Sequence, residues 1–192
     1  MRAAVTVGEF HGTKLSHLRR YLPPMVHVRE AVSAEDFQEA ARLLRDFPAH
    51  QREHYKDHLA VVERYFDPVA YEKELGDLPA KYGAPDGCVL LGFDNEELVG
   101  AVCLHRLDSE ACEMKRLFVP IAHRRKGVAE ALSLALLDAA RNKGYGIMRL
   151  DTGAFLVESQ ALYRKLGFTY TEPYYAAPEV LRDGLVFMQI RL

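Results

Sequence analysis

The sequence predicts an α/β fold of the α+β kind, with antiparallel strands and flanking helices. Three strand-like segments lie within residues 88–119 and are separated by short polar turns, a pattern that predicts successive hairpins. An apolar stripe at 3.6-residue spacing then predicts a helix over 127–142. A chain of 192 residues has room for one full-sized core. We therefore expect a single domain over 25–192, preceded by an N-terminal extension over 1–24.

The first part of this domain is predicted to be mainly helical. Alternation of apolar and polar residues over Val26–Val32 indicates a first strand. Ser33 and Asp36 match a capping box that opens a helix, and we expect Pro48 to end that helix. Two further helical segments are expected, one over 53–65 and a short one after Pro68.

The second part is predicted to alternate between strands and helices. Its strands are expected over 88–93, 98–107, 111–119 and 147–152, from Phe168 into a loop, and over 185–192. Its helices are expected over 127–142, where Gly144 follows as a stop signal, and over 158–166.

Composition and charge exclude several classes of protein. A formal net charge of −2 with 49% hydrophobic residues describes a soluble globular protein without an overall attraction to nucleic acid or to an anionic membrane. No apolar stretch approaches the roughly 20 residues that span a bilayer. Cys88, Cys103 and Cys112 lack the close spacing of zinc or redox motifs, and no signal-peptide pattern precedes them. They predict reduced thiols in the cytoplasm.

A cluster of cations precedes the long helix. His123–Leu132 reads HRRKGVAEAL, so Arg124, Arg125 and Lys126 lie directly before Gly127. Cations at a helix N-terminus are unfavourable unless an anion binds there, because the first backbone N–H groups lack partners and carry the positive end of the dipole. A strand, a short loop, a glycine and a helix form the usual arrangement for binding a phosphate. Alone, the pattern also fits a solvated surface corner.

The motif Arg124–Ala129, R-x-x-G-x-A, resembles the Q/R-x-x-G-x-G/A acyl-CoA pyrophosphate loop of the GNAT N-acetyltransferase superfamily. The preceding EMKRLFV and the later ALYRKLGF are similar to other segments of that superfamily in order and spacing, so the resemblance covers Val26–Leu192. The L-D-T, L-Y-x-x-L-G-F and P-Y-Y segments resemble one subgroup. Many members carry an Asn that contacts pantetheine where this chain has Leu156, so we do not expect that contact here.

The resemblance implies a mixed, mostly antiparallel sheet of six to seven strands, splayed between the fourth and fifth strands, with about four flanking helices. Acetyl-CoA would be the cosubstrate, without a metal. Its pantetheine arm would lie in the splay, and its diphosphate would lie over the helix N-terminus. The cofactor-binding residues implied are Leu117, Phe118, Val119, Arg124, Arg125, Lys126, Gly127, Val128 and Ala129.

Two residues are candidates for catalysis. Tyr163 lies where related enzymes place a tyrosine beside the thioester sulfur, and a phenol can protonate a departing thiolate. The alternative for Tyr163 is a packing role on its helix. Glu113, eleven residues before Arg124, stands at the offset where some members of that superfamily carry a carboxylate that removes the acceptor's proton directly or through water. A solvent-facing strand residue is the alternative, and His105 is a second candidate base. A backbone N–H near Phe118 would polarise the thioester carbonyl.

Three other residues are candidates for binding the acceptor. Tyr174 and Tyr175 follow Pro173 and either line the acceptor pocket or close the core as an aromatic loop. Asp151 ends a predicted strand beside Thr152 and either orients an amine or holds the following loop.

Histidines recur at positions 50, 54 and 58. On a continuous helix these side chains would share one face, a spacing that can bind a metal. Three ligands on one helix usually need a fourth from elsewhere, so we favour a polar helix face beside the acceptor cleft.

These observations predict an acetyl-CoA-dependent N-acetyltransferase that modifies a primary amine of a small, amino-acid-like acceptor in a ternary complex. The alternatives are a protein or peptide N-acetyltransferase and a CoA-binding sensor without activity. Nucleic-acid binding is disfavoured, because no aromatic residues are interleaved with the basic cluster. A membrane partner is not expected, and a homodimer is possible.

Overall fold

Seven strands form one sheet in the order β1-β2-β3-β4-β5-β7-β6. The strands are β1 Val26–Glu30, β2 Cys88–Asp94, β3 Glu97–Arg106, β4 Ala111–Phe118, β5 Ile147–Gly153, β6 Thr169–Thr171 and β7 Leu185–Arg191. The computed structural model describes residues 26–192, so the predicted extension over 1–24 lies outside the described residues. Every neighbouring pair is antiparallel except β4 with β5. The predicted mixed, mostly antiparallel sheet is confirmed.

Seven α-helices flank the sheet in the described chain, rather than about four. They are α1 Ala34–His54, α2 Leu59–Tyr65, α3 Pro68–Gly76, α4 Leu78–Tyr82, α5 Val128–Asn142, α6 Val157–Lys165 and α7 Glu179–Arg182. The capping box at Ser33 is present, since its side chain accepts from Asp36 N and Asp36 accepts from Ser33 N. Between residues 26 and 192, no helix is both long and apolar enough to cross a bilayer.

The prediction that Pro48 ends the first helix is wrong, because α1 runs through Pro48 to His54. Proline has no N–H, so its presence frees the carbonyl oxygen of Leu44, four residues earlier. The hydroxyl of Tyr71 on α3 donates a hydrogen bond to that oxygen at 2.7 Å. The helix continues because a distant residue replaces the missing hydrogen bond, which local sequence does not reveal.

Two apolar cores lie on opposite faces of the sheet. Helix α5 packs on one face, where its buried residues Leu132 and Leu136 meet Leu90 and Val102 of the sheet. Helices α1 to α4 cover the other face around Leu44, Tyr71 and Tyr82. Gly100 on β3 allows α5 to approach closely, since a Cβ at this position would lie 2.9 Å from the Leu132 side chain.

The sheet opens between β4 and β5. Their parallel pairing joins Ala111–Glu113 only to Ile147–Arg149, although both strands continue further. A β-bulge interrupts the β3–β4 register, and Arg116 within it has a φ of 58°. The bulge adds one residue to β4, so Lys115 and Arg116 both contact residues of the α1–α4 side. The predicted splay between the fourth and fifth strands is confirmed.

Candidate active site

A cleft lies where β4 and β5 separate. Its empty volume, including the open solvent at its mouth, is about 690 Å³. Residues from α1 and α2, from β4, and from β5 through α6 line it. Backbone groups of β4 beyond Glu113 have no strand partner on the β5 side, so they are available for a ligand that adds to the sheet as a strand does.

The N-terminus of α5 carries no side-chain cap. Gly127 occupies the N-cap position with a φ of 80°, a left-handed conformation that glycine adopts without steric cost. Arg125 also has a positive φ, of 59°, so the loop turns tightly before the helix. The N–H groups of the first helical turn, from Val128 onward, have no partner within the helix and form an anion-binding site. Arg125 and Lys126 are exposed beside them.

Arg124 is bonded within the protein. Its Nε donates to the carbonyl oxygen of Val119 at 3.0 Å, and its terminal nitrogen lies 2.6 Å from Nε2 of His50 on α1. The first bond uses one lone pair of the Val119 carbonyl oxygen, and the second lone pair remains for a ligand. Burial, with the Arg124 charge beside it, lowers the pKa of His50 to about 4, so the imidazole is neutral and accepts from the guanidinium. Arg124 thus links the loop before α5 to α1.

Tyr163 faces the cleft from α6. Its helix is held to the end of β5 by Gln160, whose Nε2 lies 3.0 Å from the carbonyl oxygens of Gly153 and Ala154. Among the described residues, no side chain or backbone group bonds the Tyr163 hydroxyl. Burial raises the pKa of Tyr163, so its phenol keeps its proton at neutral pH. Leu156, at the position where many relatives carry Asn, also lines the cleft.

Lys115, Asp151 and two tyrosines form a cluster at the cleft, in which Asp151 is buried and Tyr175 is exposed. Lys115 Nζ lies 2.9 Å from both carboxylate oxygens of Asp151. The Tyr65 hydroxyl donates to Asp151 Oδ1 at 2.7 Å, and the Tyr175 hydroxyl donates to Oδ2. Burial opposes the charged form of Asp151, but Lys115 and these hydrogen bonds outweigh it and lower the pKa. Burial likewise opposes the charged form of Lys115, but Tyr65, Asp151 and Glu113 outweigh it and raise the pKa, so both groups stay charged.

Glu113 lies directly behind this cluster and is only 3% exposed. Its Oε2 lies 2.6 Å from His105 Nε2, while Oε1 lies 3.1 Å from Lys115 Nζ and accepts from the Tyr174 hydroxyl. Burial would raise the pKa of Glu113, but His105 and Lys115 outweigh it and the pKa is lowered. Glu113 does not line the cleft. In this geometry it reaches an acceptor only through water or another side chain.

Sequence reasoning located the two tyrosines after Pro173 but not their partners. Neither Tyr174 nor Tyr175 lines the cleft, and their hydroxyls donate to the carboxylates of Glu113 and Asp151, respectively.

Gln51 on α1 was not predicted from the sequence. It lines the cleft, it is 5% exposed, and its Oε1 has no hydrogen-bond partner among residues 26–192. A single glutamine inside an amphipathic helix carries no sequence pattern that would mark it as a residue of the cleft.

The three histidines do not share one helix face. His50 and His54 lie on α1 with ring centroids 4.1 Å apart, whereas His58 follows the helix end and stacks on Phe155 at 4.3 Å. Tyr55 separates α1 from the following turn, because its φ of −125° and ψ of 54° are not helical. Within residues 26–192, no group of three or more His, Cys, Asp or Glu side chains has a metal-binding arrangement.

Comparison with known proteins gives the family. Residues 43–168 match the acetyltransferase (GNAT) family. The chain belongs to this family.

Relatives of this acetyltransferase share about a third of the aligned residues. An uncharacterized N-acetyltransferase of Schizosaccharomyces pombe is 35% identical over 123 residues, which are 63% of this chain and 74% of that protein. The N-acetylaspartate synthetase of Danio rerio is 32% identical over 138 residues, 68% of this chain and 48% of that protein. The chain therefore aligns with about half the length of the zebrafish relative.

Solved structures of other proteins share the fold. An acetyltransferase from Streptococcus agalactiae superposes with a TM-score of 0.66 at 18% identity, covering 87% of this chain and 98% of that one. The protein yncA from Salmonella typhimurium, solved with its cofactor acetyl-CoA, has a TM-score of 0.57 at 22% identity, with coverages of 86% and 93%. At these identities the likeness is one of fold.

Proposed function

We propose that this GNAT protein transfers an acetyl group from acetyl-CoA to the primary amine of a small, amino-acid-like molecule by direct attack in a ternary complex. One observation carries the proposal. Tyr163 lines the cleft where β4 and β5 separate, and β4 leads through one short loop to the uncapped N-terminus of α5. A thioester with a diphosphate at one end and a polar amide arm matches that combination.

The residues of the site fit acetyl-CoA. The backbone N–H groups of Val128 and Ala129 would hold the diphosphate, and Lys126 or Arg125 would meet the outer 3′-phosphate of the cofactor. The pantetheine arm would run along β4 at Leu117, and its opposite side would meet the apolar side chain of Leu156. Arg124, bonded to Val119 and His50, would keep the loop and α1 in position.

The reaction needs the amine nitrogen to attack the thioester carbon, the C–S bond to break, and the amine to lose a proton. Holding both reactants in line supplies much of the rate. The Tyr163 O–H would hydrogen-bond the departing sulfur and supply its proton. The amine's proton would leave through water ordered against Glu113 and His105, because Glu113 does not reach the cleft itself.

The acceptor is proposed to be a small molecule for two reasons. The cleft is lined mainly by aliphatic and aromatic side chains with a few polar groups among them, as small-molecule sites are. A relative is named N-acetylaspartate synthetase, which supports a small amine over a protein acceptor.

The test is an acceptor screen with acetyl-CoA that follows release of free thiol. The panel contains small primary amines, a peptide with a free α-amino group and a peptide with an internal lysine. Faster transfer to small amines is expected. Faster transfer to either peptide would contradict the acceptor class, and coenzyme A binding without turnover on any amine would favour a sensor. No heat on titration with coenzyme A would overturn the proposal.

Lys126→Glu tests the phosphate site. Lys126 is exposed, so the charge reversal should leave the fold intact, and it places repulsion where Lys126 or Arg125 would meet the 3′-phosphate. We expect coenzyme A to bind roughly tenfold more weakly by calorimetry. The same substitution should weaken the binding of dephospho-coenzyme A less, because that compound lacks the 3′-phosphate. Lys73→Glu makes the same charge change on exposed α3 and is the control. Unchanged binding by the Lys126 variant would count against the assignment.

A further inference from the structure

The part of the cleft that remains beside the proposed pantetheine path is apolar. Its walls come from α1, α2, the segment after β5 and the start of β7, with side chains of Phe47, Val61, Val62, Phe66, Phe155 and Leu185. Apart from the charged groups and Tyr163, the polar side chains that line the cleft are Tyr65, whose hydroxyl is already bonded to Asp151, Gln51, Thr152 and Ser159. This part of the site therefore suits an acceptor whose body is an alkyl or aryl group.

The charged groups at the cleft are already paired with each other. Lys115 contacts Asp151 and Glu113. Arg116 binds Glu74 through two hydrogen bonds, at 2.7 and 3.1 Å. Each of these two buried cations therefore has a carboxylate partner, and Lys115 has two. The positive charge at the cleft is compensated before any ligand enters.

This pairing distinguishes between two kinds of amine. The carboxylate of an amino acid would enter a site in which, among the described lining residues, no cation lacks an anionic partner. It would come close to Asp151 and would lose its hydration without a new ion pair, which is costly. An amine without a carboxylate avoids this cost, and its nitrogen can donate a hydrogen bond.

Gln51 supplies the acceptor that such a nitrogen needs. Its side-chain oxygen is buried and accepts no hydrogen bond among the described residues, although it belongs to a residue that lines the cleft. An amide oxygen in this state is satisfied by an N–H donor from a ligand. An amine nitrogen is such a donor.

We infer that the acceptor is a primary amine with an apolar alkyl or aryl body and no free carboxylate, and that Gln51 accepts a hydrogen bond from its nitrogen. The inference rests on the proposed acetyl transfer and narrows its acceptor class. Amino-acid-like molecules fit when their carboxyl group is an amide or an ester. Zwitterionic amino acids, aspartate included, are expected to be poor acceptors.

The experiment compares amines that differ only in the carboxylate. 2-Phenylethylamine is compared with phenylalanine, and leucine amide with leucine, with aspartate added; kcat/KM is measured at saturating acetyl-CoA. We expect each amine without a carboxylate to exceed its partner by at least about tenfold. Comparable or higher values for phenylalanine, leucine or aspartate would overturn the inference while leaving acetyl transfer intact. Failure of the apolar amines to react while coenzyme A binds would also overturn it. Failure to bind coenzyme A would instead remove the proposed function.

Two variants test the residues. Gln51→Leu should raise KM for 2-phenylethylamine about tenfold and leave coenzyme A affinity unchanged, because one hydrogen bond from the amine nitrogen is lost. Gln38→Leu makes the same change at an exposed position on α1 and is the matched control. Asp151→Asn removes one carboxylate beside Lys115 and should reduce the preference for amines over amino acids. An unchanged KM in Gln51→Leu, or an unchanged preference in a folded Asp151→Asn protein, would contradict the assignment.

Discussion

The phenols around the cleft differ in one respect. The hydroxyls of Tyr65, Tyr174 and Tyr175 all donate to carboxylates, whereas no described residue bonds the hydroxyl of Tyr163. A buried tyrosine that only stabilises the fold usually has a hydrogen-bond partner for its hydroxyl within the protein. The free hydroxyl of Tyr163 is therefore the one available to a ligand in the cleft.

Tyr163→Phe should lower kcat by about 100-fold, because it removes the proposed donor to the departing sulfur. The affinity for coenzyme A should change by less than about twofold, and the melting temperature should hardly change, since no protein hydrogen bond is lost. Stopped-flow thiol release, calorimetry and thermal unfolding measure the three quantities. Tyr145→Phe, which removes a hydroxyl bonded 2.8 Å from the Asp86 carbonyl oxygen, is the control. A variant with wild-type kcat would exclude Tyr163 from the chemistry.

At the scale of single residues, the sequence indicated candidate side chains but not their hydrogen-bond partners. Arg124 and Tyr174 could be selected from motif position, but the sequence could not show that Arg124 bonds His50 or that Tyr174 bonds Glu113. These pairs are 74 and 61 residues apart. Such contacts depend on how helices and loops pack on the sheet, which local patterns do not specify.

Helix α1 shows how packing can outweigh a local stop signal. A proline inside a helix removes a hydrogen bond and typically costs about 3 kcal/mol. Here Tyr71 donates to the freed Leu44 carbonyl oxygen, and Pro48 itself is buried. The result is one helix of 21 residues that brings Phe47 and Gln51 to the cleft.

Tyr71→Phe should reduce the free energy of unfolding by about 1–2 kcal/mol, because it leaves a buried carbonyl oxygen without a donor. In a Pro48→Ala background the same change should cost less, since an alanine at that position would supply the helical N–H. The difference between the two costs should be about 0.5–1 kcal/mol in a double-mutant cycle followed by urea unfolding. Equal costs in both backgrounds would show that Tyr71 does not compensate for Pro48. The entropic effect of replacing proline cancels in the cycle.

For the molecule as a whole, the strand pattern of the sheet and the helical character of the first part could be predicted, but the division of that part into α1 to α4 could not. Hairpins with short turns and the α5 stripe are local signals, and the corresponding strands and helix are present. The region from α2 to α4 consists of helices of 7, 9 and 5 residues, which are too short to be stable alone. They form because Tyr71, Leu75 and Tyr82 pack against the sheet.

One ion-pair network joins this helical side to the sheet. Glu74 on α3 binds Arg116 of β4 at 2.7 and 3.1 Å and Lys81 of α4 at 2.7 Å, and it accepts from the Tyr82 hydroxyl at 2.9 Å. Burial would raise the pKa of Glu74, but Arg116 and Lys81 outweigh it and lower the pKa to about 2. The network holds the wall of the cleft that α1 to α4 support.

Because the pKa of Glu74 is lower in the folded protein than its ordinary value of 4.5, the unfolded chain binds the proton first as the pH falls. The stabilisation is therefore complete above about pH 4.5 and is lost progressively toward pH 2. Between pH 7 and pH 3 the loss should be about 1 kcal/mol, after allowance for partial solvent screening. Glu74→Gln removes this titration, so its deficit in unfolding free energy should be about 1 kcal/mol larger at pH 7 than at pH 3. Glu72→Gln, which breaks an exposed pair with Arg45, is the control and should cost little at either pH. If urea unfolding gave the Glu74 variant the same deficit at both pH values, Glu74 would not be the group that ties acid stability to the packing of the helices on the sheet.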